Sequence, residues 1–145
     1  MAIREPSEFY ERFADVLRCI RALNEDGYAA LELGTAQAKF LRYIGTHSRI
    51  SQAELARATR TAPTLTGRVL GALVERGWVR RTRSSEDRRE YVVELTASGQ
   101  RMRAQVDKAR TRVIAQLASV LDDKDARDFD RIATKILAAF QLDDE

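Results

Sequence analysis

The residues able to do chemistry are unevenly spread. Residues 48–89 hold ten arginines, no lysine and four acids, a net charge of +6 in a chain whose total is only +3. The ten are Arg49, Arg57, Arg60, Arg68, Arg76, Arg80, Arg81, Arg83, Arg88 and Arg89. A guanidinium is a planar fork of donors that matches phosphate oxygens and guanine edges in pairs. The block is therefore a candidate surface for a polyanion. The bland alternative is a solvated face in an arginine-biased composition, since only 4 of the 25 bases are lysine. Other chemistry is sparse. One cysteine, Cys19, excludes an internal disulfide and any multi-cysteine zinc site. One histidine, His47, argues against a histidine metal cluster or a His-dependent triad. The acid pairs Asp122–Asp123 and Asp143–Asp144 come with no base, nucleophile or metal set. The expectation is a non-enzyme with no metal and no cofactor.

The elements that must carry these arginines follow from periodicity. At 145 residues the chain has the length of one ordinary domain. Phe9, Phe13, Val16, Leu17, Ile20 and Leu23 recur at steps of three and four, predicting a first helix from about Ser7 to Asn24–Gly27. A second helix from about Ala36, capped by Thr35, turns Phe40, Leu41 and Ile44 inward and ends near Gly45–Ser48. Ser51 and Glu54 form a capping box that opens a short third helix. A tight turn through Arg60 and Thr61 leads to a fourth, with Pro63 in its first turn and Gly77 at its stop. Leu65, Val69, Leu70 and Leu73 are expected on its inner face. The segments 78–83 and 90–96 are rich in Val, Tyr, Trp and Thr and flank a polar tip of six residues, predicting a hairpin. Thr96 caps a long helix with Met102, Val106, Val113, Leu117 and Val120 inward. Asp122 and Asp123 open a last helix with Phe129, Ile132, Ile136 and Phe140 inward.

Helix, turn, helix and basic hairpin in that order predict a mostly α (α+β) winged helix-turn-helix with long flanking helices. The fourth helix can enter a DNA major groove with its N-terminal residues on base edges. Its outer face is expected to present Pro63, Thr64, Thr66, Gly67, Arg68 and Gly71, with Arg68 suited to guanine and the threonine methyls to thymine. Ser51 and Gln52, at a helix start, and Arg57, Arg60, Arg81 and Arg83 are candidate phosphate contacts. Arg80 is a further candidate, though alternate strand residues must face away from DNA.

Residues 35–101 closely resemble the MarR family of transcriptional regulators. The resemblance rests on Glu54-Leu55-Ala56, on Leu70 to Val79 with its Gly77-Trp78-Val79, on Asp87-Arg88-Arg89 at the tip, and on Leu95-Thr96 with Gly99. It implies that Arg89 enters the minor groove, that Asp87 holds the tip and that Arg88 meets phosphate. It also implies a homodimer on a palindromic operator, formed through the terminal helices around Phe9, Phe13, Leu17, Ile132, Ile136 and Phe140. Many relatives bind small phenolic or aromatic acids. Tyr10, Phe13, Phe40, Tyr43 and His47, with Tyr28, are the candidate lining of such a pocket, or else simple core. Cys19 is a candidate redox switch, some members sensing peroxides with a first-helix cysteine, or else a structural thiol. A winged-helix module that binds protein instead of DNA is the remaining alternative. The expected division is 1–34 for dimerisation, 35–96 for DNA and 97–145 for dimerisation again. No apolar run reaches the ~20 residues of a bilayer span, and no signal peptide is evident in the first residues. The expected compartment is the cytoplasm.

Overall fold

A computed structural model describes residues 2–140; the acid pair Asp143–Asp144 lies outside them. Six helices and three strands follow one another as α1 (Pro6–Ala29), α2 (Thr35–His47), β1 (Arg49–Ser51), α3 (Gln52–Ala58), α4 (Pro63–Glu75), β2 (Val79–Arg83), β3 (Tyr91–Leu95), α5 (Ala97–Ala118) and α6 (Asp123–Ala139). The winged helix-turn-helix architecture is present, with long helices on either side. Among the described residues no helix is long and apolar enough to cross a membrane.

The core lies between α2, α3, α4, the sheet and α5. Phe40, Leu41, Ile44, Leu55, Leu70, Leu73, Val93 and Val106 are fully buried there. Each large apolar side chain removed from water contributes roughly 1.5–3 kcal/mol before entropy is counted. The antiparallel sheet has the order β1-β3-β2. Ile50 pairs with Val93, and Val79 with Leu95, which fixes both edge strands against the central one.

Capping chemistry sets the helix starts. Ser51 Oγ accepts from the Glu54 amide at 3.1 Å, and the Glu54 carboxylate accepts from the Ser51 amide at 3.4 Å. Asp122 caps α6 by accepting from the Asp125 amide at 2.8 Å. Thr96 does more than cap α5. Its hydroxyl accepts from the Gly99 amide at 3.0 Å and donates to the Gly77 carbonyl at 2.6 Å. Its own amide donates to the Trp78 carbonyl at 3.0 Å. Gly77 itself takes φ +74°, where a side chain would be strained. The end of α4, the start of β2, the end of β3 and the start of α5 thus meet at one seam.

Several elements differ from the sequence-based expectation. Helix α1 does not stop at Asn24–Gly27. It runs on to Ala29, with Gly27 turned towards Ala109 of α5. Its N-cap is Glu5, with Pro6 in the first turn, and Ser7 does not cap it. Gly34, not Thr35, is the N-cap of α2, and its amide donates to Gln37 Oε1 at 3.2 Å. Strand β1 was not anticipated. Leu65 is 44% exposed while Thr66 is fully buried, so the inner face of α4 is Thr66, Val69, Leu70 and Leu73. Val120 is exposed rather than inward. Helix α6 has no buried residue at all. Phe129 at 63% and Phe140 at 74% exposure define an apolar face with no partner among the described residues. Phe9, Val16 and Leu17 of α1 are similarly open.

A Cβ added at Gly99 would stand 1.9 Å from the Trp78 carbonyl oxygen, a backbone atom that cannot swing away. Gly99→Ala is therefore expected to lose more than about 2 kcal/mol in urea denaturation. Thr96→Ala, which removes only the hydroxyl links, is expected to lose about 1–2 kcal/mol.

Candidate nucleic-acid interface

The turn between α3 and α4 is built from local hydrogen bonds. Thr59 Oγ1 donates to the Leu55 carbonyl at 2.7 Å, and Lys39 Nζ donates to the Thr59 carbonyl at 3.0 Å. Arg60 follows with φ +51°, in the left-handed region that a side chain enters at a cost. The turn delivers Pro63 to the first position of α4. Pro63, Thr64, Leu65 and Arg68 are then exposed, with Gly67 and Gly71 half-exposed beside them.

Thr66 departs from its expected role. Its hydroxyl donates to the Ala62 carbonyl at 3.0 Å, and the whole side chain is buried. It therefore leaves the exposed set and lies instead in the wall of the cleft between the helices and the wing. Leu65, which the period placed inward, takes its place on the surface. Leu65, Val69 and Leu73 recur every four residues, but the inner face is Thr66, Val69, Leu70 and Leu73, which keeps the last two and replaces Leu65 with a threonine.

The wing tip is a stack of short-range bonds. The Ser84 hydroxyl accepts from the amides of Glu86 and Asp87. Asp87 Oδ1 accepts from the Arg89 amide at 3.0 Å, and Arg83 donates to the Arg88 carbonyl at 2.8 Å. This leaves the Arg89 side chain 97% exposed, with only a 3.9 Å approach to Asp87. Arg88 is exposed as well. The arginines on β2 are divided by the strand's alternation. Arg80 pairs with Glu94 across the sheet at 3.0 Å. Arg81 and Arg83 lie over the Tyr91 ring, 4.9 and 4.5 Å from its centre. Arg76 is engaged within the fold, donating to the Glu32 carbonyl and lying 4.1 Å over Trp78.

The helices and the wing face each other across a cleft of about 680 Å³. Gln52, Ala56 and Arg57 of α3, Thr61 and Pro63 at the turn, and Asp87, Arg89 and Tyr91 of the wing line it. Gln52 Oε1 is buried there without a hydrogen-bond partner. Arg57 and Arg89, 32 residues apart in sequence, thus share one concavity that opens beside the exposed face of α4. Ser51 is committed to its capping box, so its hydroxyl is less free for an outside partner than its position implied.

The remaining candidates do not gather. Phe40 is core, Tyr10 is open on α1, and Phe13 lies near Phe9 with ring centres 6.3 Å apart. Tyr43 and His47 stack on each other at 4.1 Å, with His47 Nδ1 2.8 Å from the Tyr43 carbonyl. They border a separate shallow hollow with Arg49, Ile50, Glu54 and Arg57. No described cavity is lined by all five. Cys19 is exposed on α1.

Residues 33–91 match the family model described as MarR family. No curated protein matches the chain. Among solved structures, a mutant MarR from E. coli complexed with operator DNA is 22% identical. The match covers 94% of this chain and 99% of that one, with TM-score 0.81. The S. aureus MepR–DNA complex is 16% identical over 91% of this chain and 98% of that one, with TM-score 0.80. YusO from Bacillus subtilis is 19% identical over 97% and 99%, with TM-score 0.72. At these identities the likeness is one of fold.

Arg60 offers a test of what its strained turn is for. Arg60→Gly relieves the left-handed backbone, and stability is expected to rise by about 0.5 kcal/mol in urea titration after the glycine's larger unfolded-state entropy is offset. If the arginine serves an anionic partner, the same variant is expected to bind duplex DNA more weakly by fluorescence anisotropy. A variant both less stable and equal in binding would assign Arg60 to the fold alone.

Proposed function

We propose that the chain, whose residues 33–91 match the MarR family model, is a homodimeric DNA-binding transcriptional regulator. The observation that carries this is one cleft shared by Arg57 of α3, Pro63 at the start of α4 and Arg89 at the tip of the braced wing. Arg68 is exposed farther along α4. Helix α4 would lie in the major groove with Thr64 and Arg68 on base edges. Arg89 would reach the adjacent minor groove, where a narrow A·T-rich stretch concentrates negative potential. Arg57, Arg60 and Arg88, with the Gln52 side chain, would meet phosphates. These contacts fix register without reading sequence.

The uncovered apolar faces of α1 and α6 support the dimer. A helix as amphipathic as α6 with nothing buried needs a second surface, and a two-fold axis supplies an identical one. Phe9, Phe13, Leu17, Ile132, Ile136 and Phe140 would form that interface. The functional division would run 1–34 and 97–145 for dimerisation and 35–96 for DNA. Two recognition helices about 34–36 Å apart would then match a palindromic operator read on successive turns. A small aromatic or phenolic ligand would act by favouring one separation of these helices. A hundredfold change in affinity needs about 2.7 kcal/mol of differential binding.

The test is footprinting of the full chain on DNA upstream of its own gene over a salt series. A discrete, roughly palindromic protected site is expected. With about eight phosphates neutralised, the slope of log affinity on log salt should be about −7. Arg68→Ala should relax base preference, whereas Arg89→Ala should weaken binding most on A·T-rich flanks. Ile136→Glu should shift sedimentation from dimer to monomer and abolish the protected site. Wild-type binding by both arginine variants would overturn the docking, and an unchanged sedimentation coefficient for Ile136→Glu would overturn the interface.

A further inference from the structure

On α4 an apolar and a polar neighbour have exchanged the sides that hydrophobicity alone assigns. Leu65 is 44% exposed, and Thr66 is fully buried with its hydroxyl bonded to the Ala62 carbonyl. A single exposed leucine needs no explanation on an ordinary surface. This one stands in the first turns of α4, the helix proposed to enter the major groove. Leu65 and Arg68 are three residues apart, so they are neighbours on one face. The strip beside them is bare. A Cβ at Gly71 would meet nothing within 4 Å, and one at Gly67 would meet only Gln52 Nε2 at 3.5 Å. Neither glycine is required by packing inside the chain, and both weaken a helix interior. Their lack of side chains lets the helix backbone approach an outside surface closely, which brings even a short apolar side chain to the base edges.

Resting on the DNA-binding reading of α4, we propose that Leu65 reads the 5-methyl group of a thymine in each half-site and is a specificity-determining residue. The thymine methyl is the one apolar group that base edges present in the major groove. Against any other edge, Leu65 would cover donors or acceptors and return no hydrogen bond. A protein partner for the same side chain is disfavoured by the positive charge around it. Arg57, Arg60 and Arg68 are all exposed and carry no ion pair among the described residues.

The test begins with an operator selected by the full-length chain from a random-sequence duplex pool. Each thymine is then replaced in turn by deoxyuridine, which deletes the methyl and keeps the base pairing. One position per half-site is expected to lose about fourfold in affinity per methyl. Leu65→Met should retain that loss at the same position, and Leu65→Ala should bind the thymine and uracil versions equally. Thermal unfolding of both variants checks that the helix is intact. If Leu65→Ala still discriminates there, or if no position responds in the wild type, the proposal is overturned while DNA binding stands. If no sequence is enriched at all, the reading of α4 fails and takes this assignment with it.

Discussion

The winged half of the molecule depends on the seam where Thr96 meets the Gly77–Trp78 corner. One hydroxyl takes a hydrogen from the first turn of α5 and gives its own to the chain leaving α4. The Trp78 carbonyl receives the Thr96 amide and leaves room only for a glycine at position 99. The two strands of the wing leave and return through this point. Helix α4 ends there, and the long helix that carries the chain away begins there. A shift of even half an ångström would move the wing tip and the exposed face of α4 relative to each other. A set of short hydrogen bonds that ties four segments together at one point favours one geometry over its neighbours, which uniform apolar packing does less well.

From that corner outward the chain separates two kinds of arginine. Arg76 and Arg80 are held by a carbonyl, an indole ring and a carboxylate within the fold. Arg81 and Arg83 rest on Tyr91. Arg57, Arg60, Arg68, Arg88 and Arg89 extend into water. A positive count in a sequence cannot make this division, because the partners that engage an arginine come from strands and helices far along the chain. Glu94 lies 14 residues from Arg80, and Glu32 lies 44 residues from Arg76.

Much of the architecture was legible because its signals are local. Capping boxes at Ser51 and Asp122, the glycine at 77 and the change of period at 78 are each written within a few residues. The errors came where tertiary contacts decide. Strand β1 has three residues, too few for a period, and exists because β3 offers it a partner. Gly27 looks like a stop, yet α1 runs on through it beside Ala109 of α5. Leu65 and Thr66 were assigned to opposite sides because a threonine whose hydroxyl is bonded to its own helix is nearly as apolar as a valine. The aromatic residues considered together for a pocket divide between the core, the open side of α1 and a stacked pair, since helical spacing says nothing about which helices meet.

Ser51 is both the last residue of β1 and the cap of α3, so no flexible link separates the sheet from the helix-turn-helix. The seam at Thr96 closes the other side in the same way. Sheet, helices and wing are therefore joined without linkers at both junctions, and α5 leads away from them like a handle. With 22 residues the handle is about 33 Å long. Tilting it by about 5° swings the far end by about 3 Å, close to one base-pair step of duplex. If the proposed function holds, a chain built this way would need no soft joint near the nucleic acid. A few degrees at the distant end of the rod would be enough to bring the exposed face of α4 into or out of register.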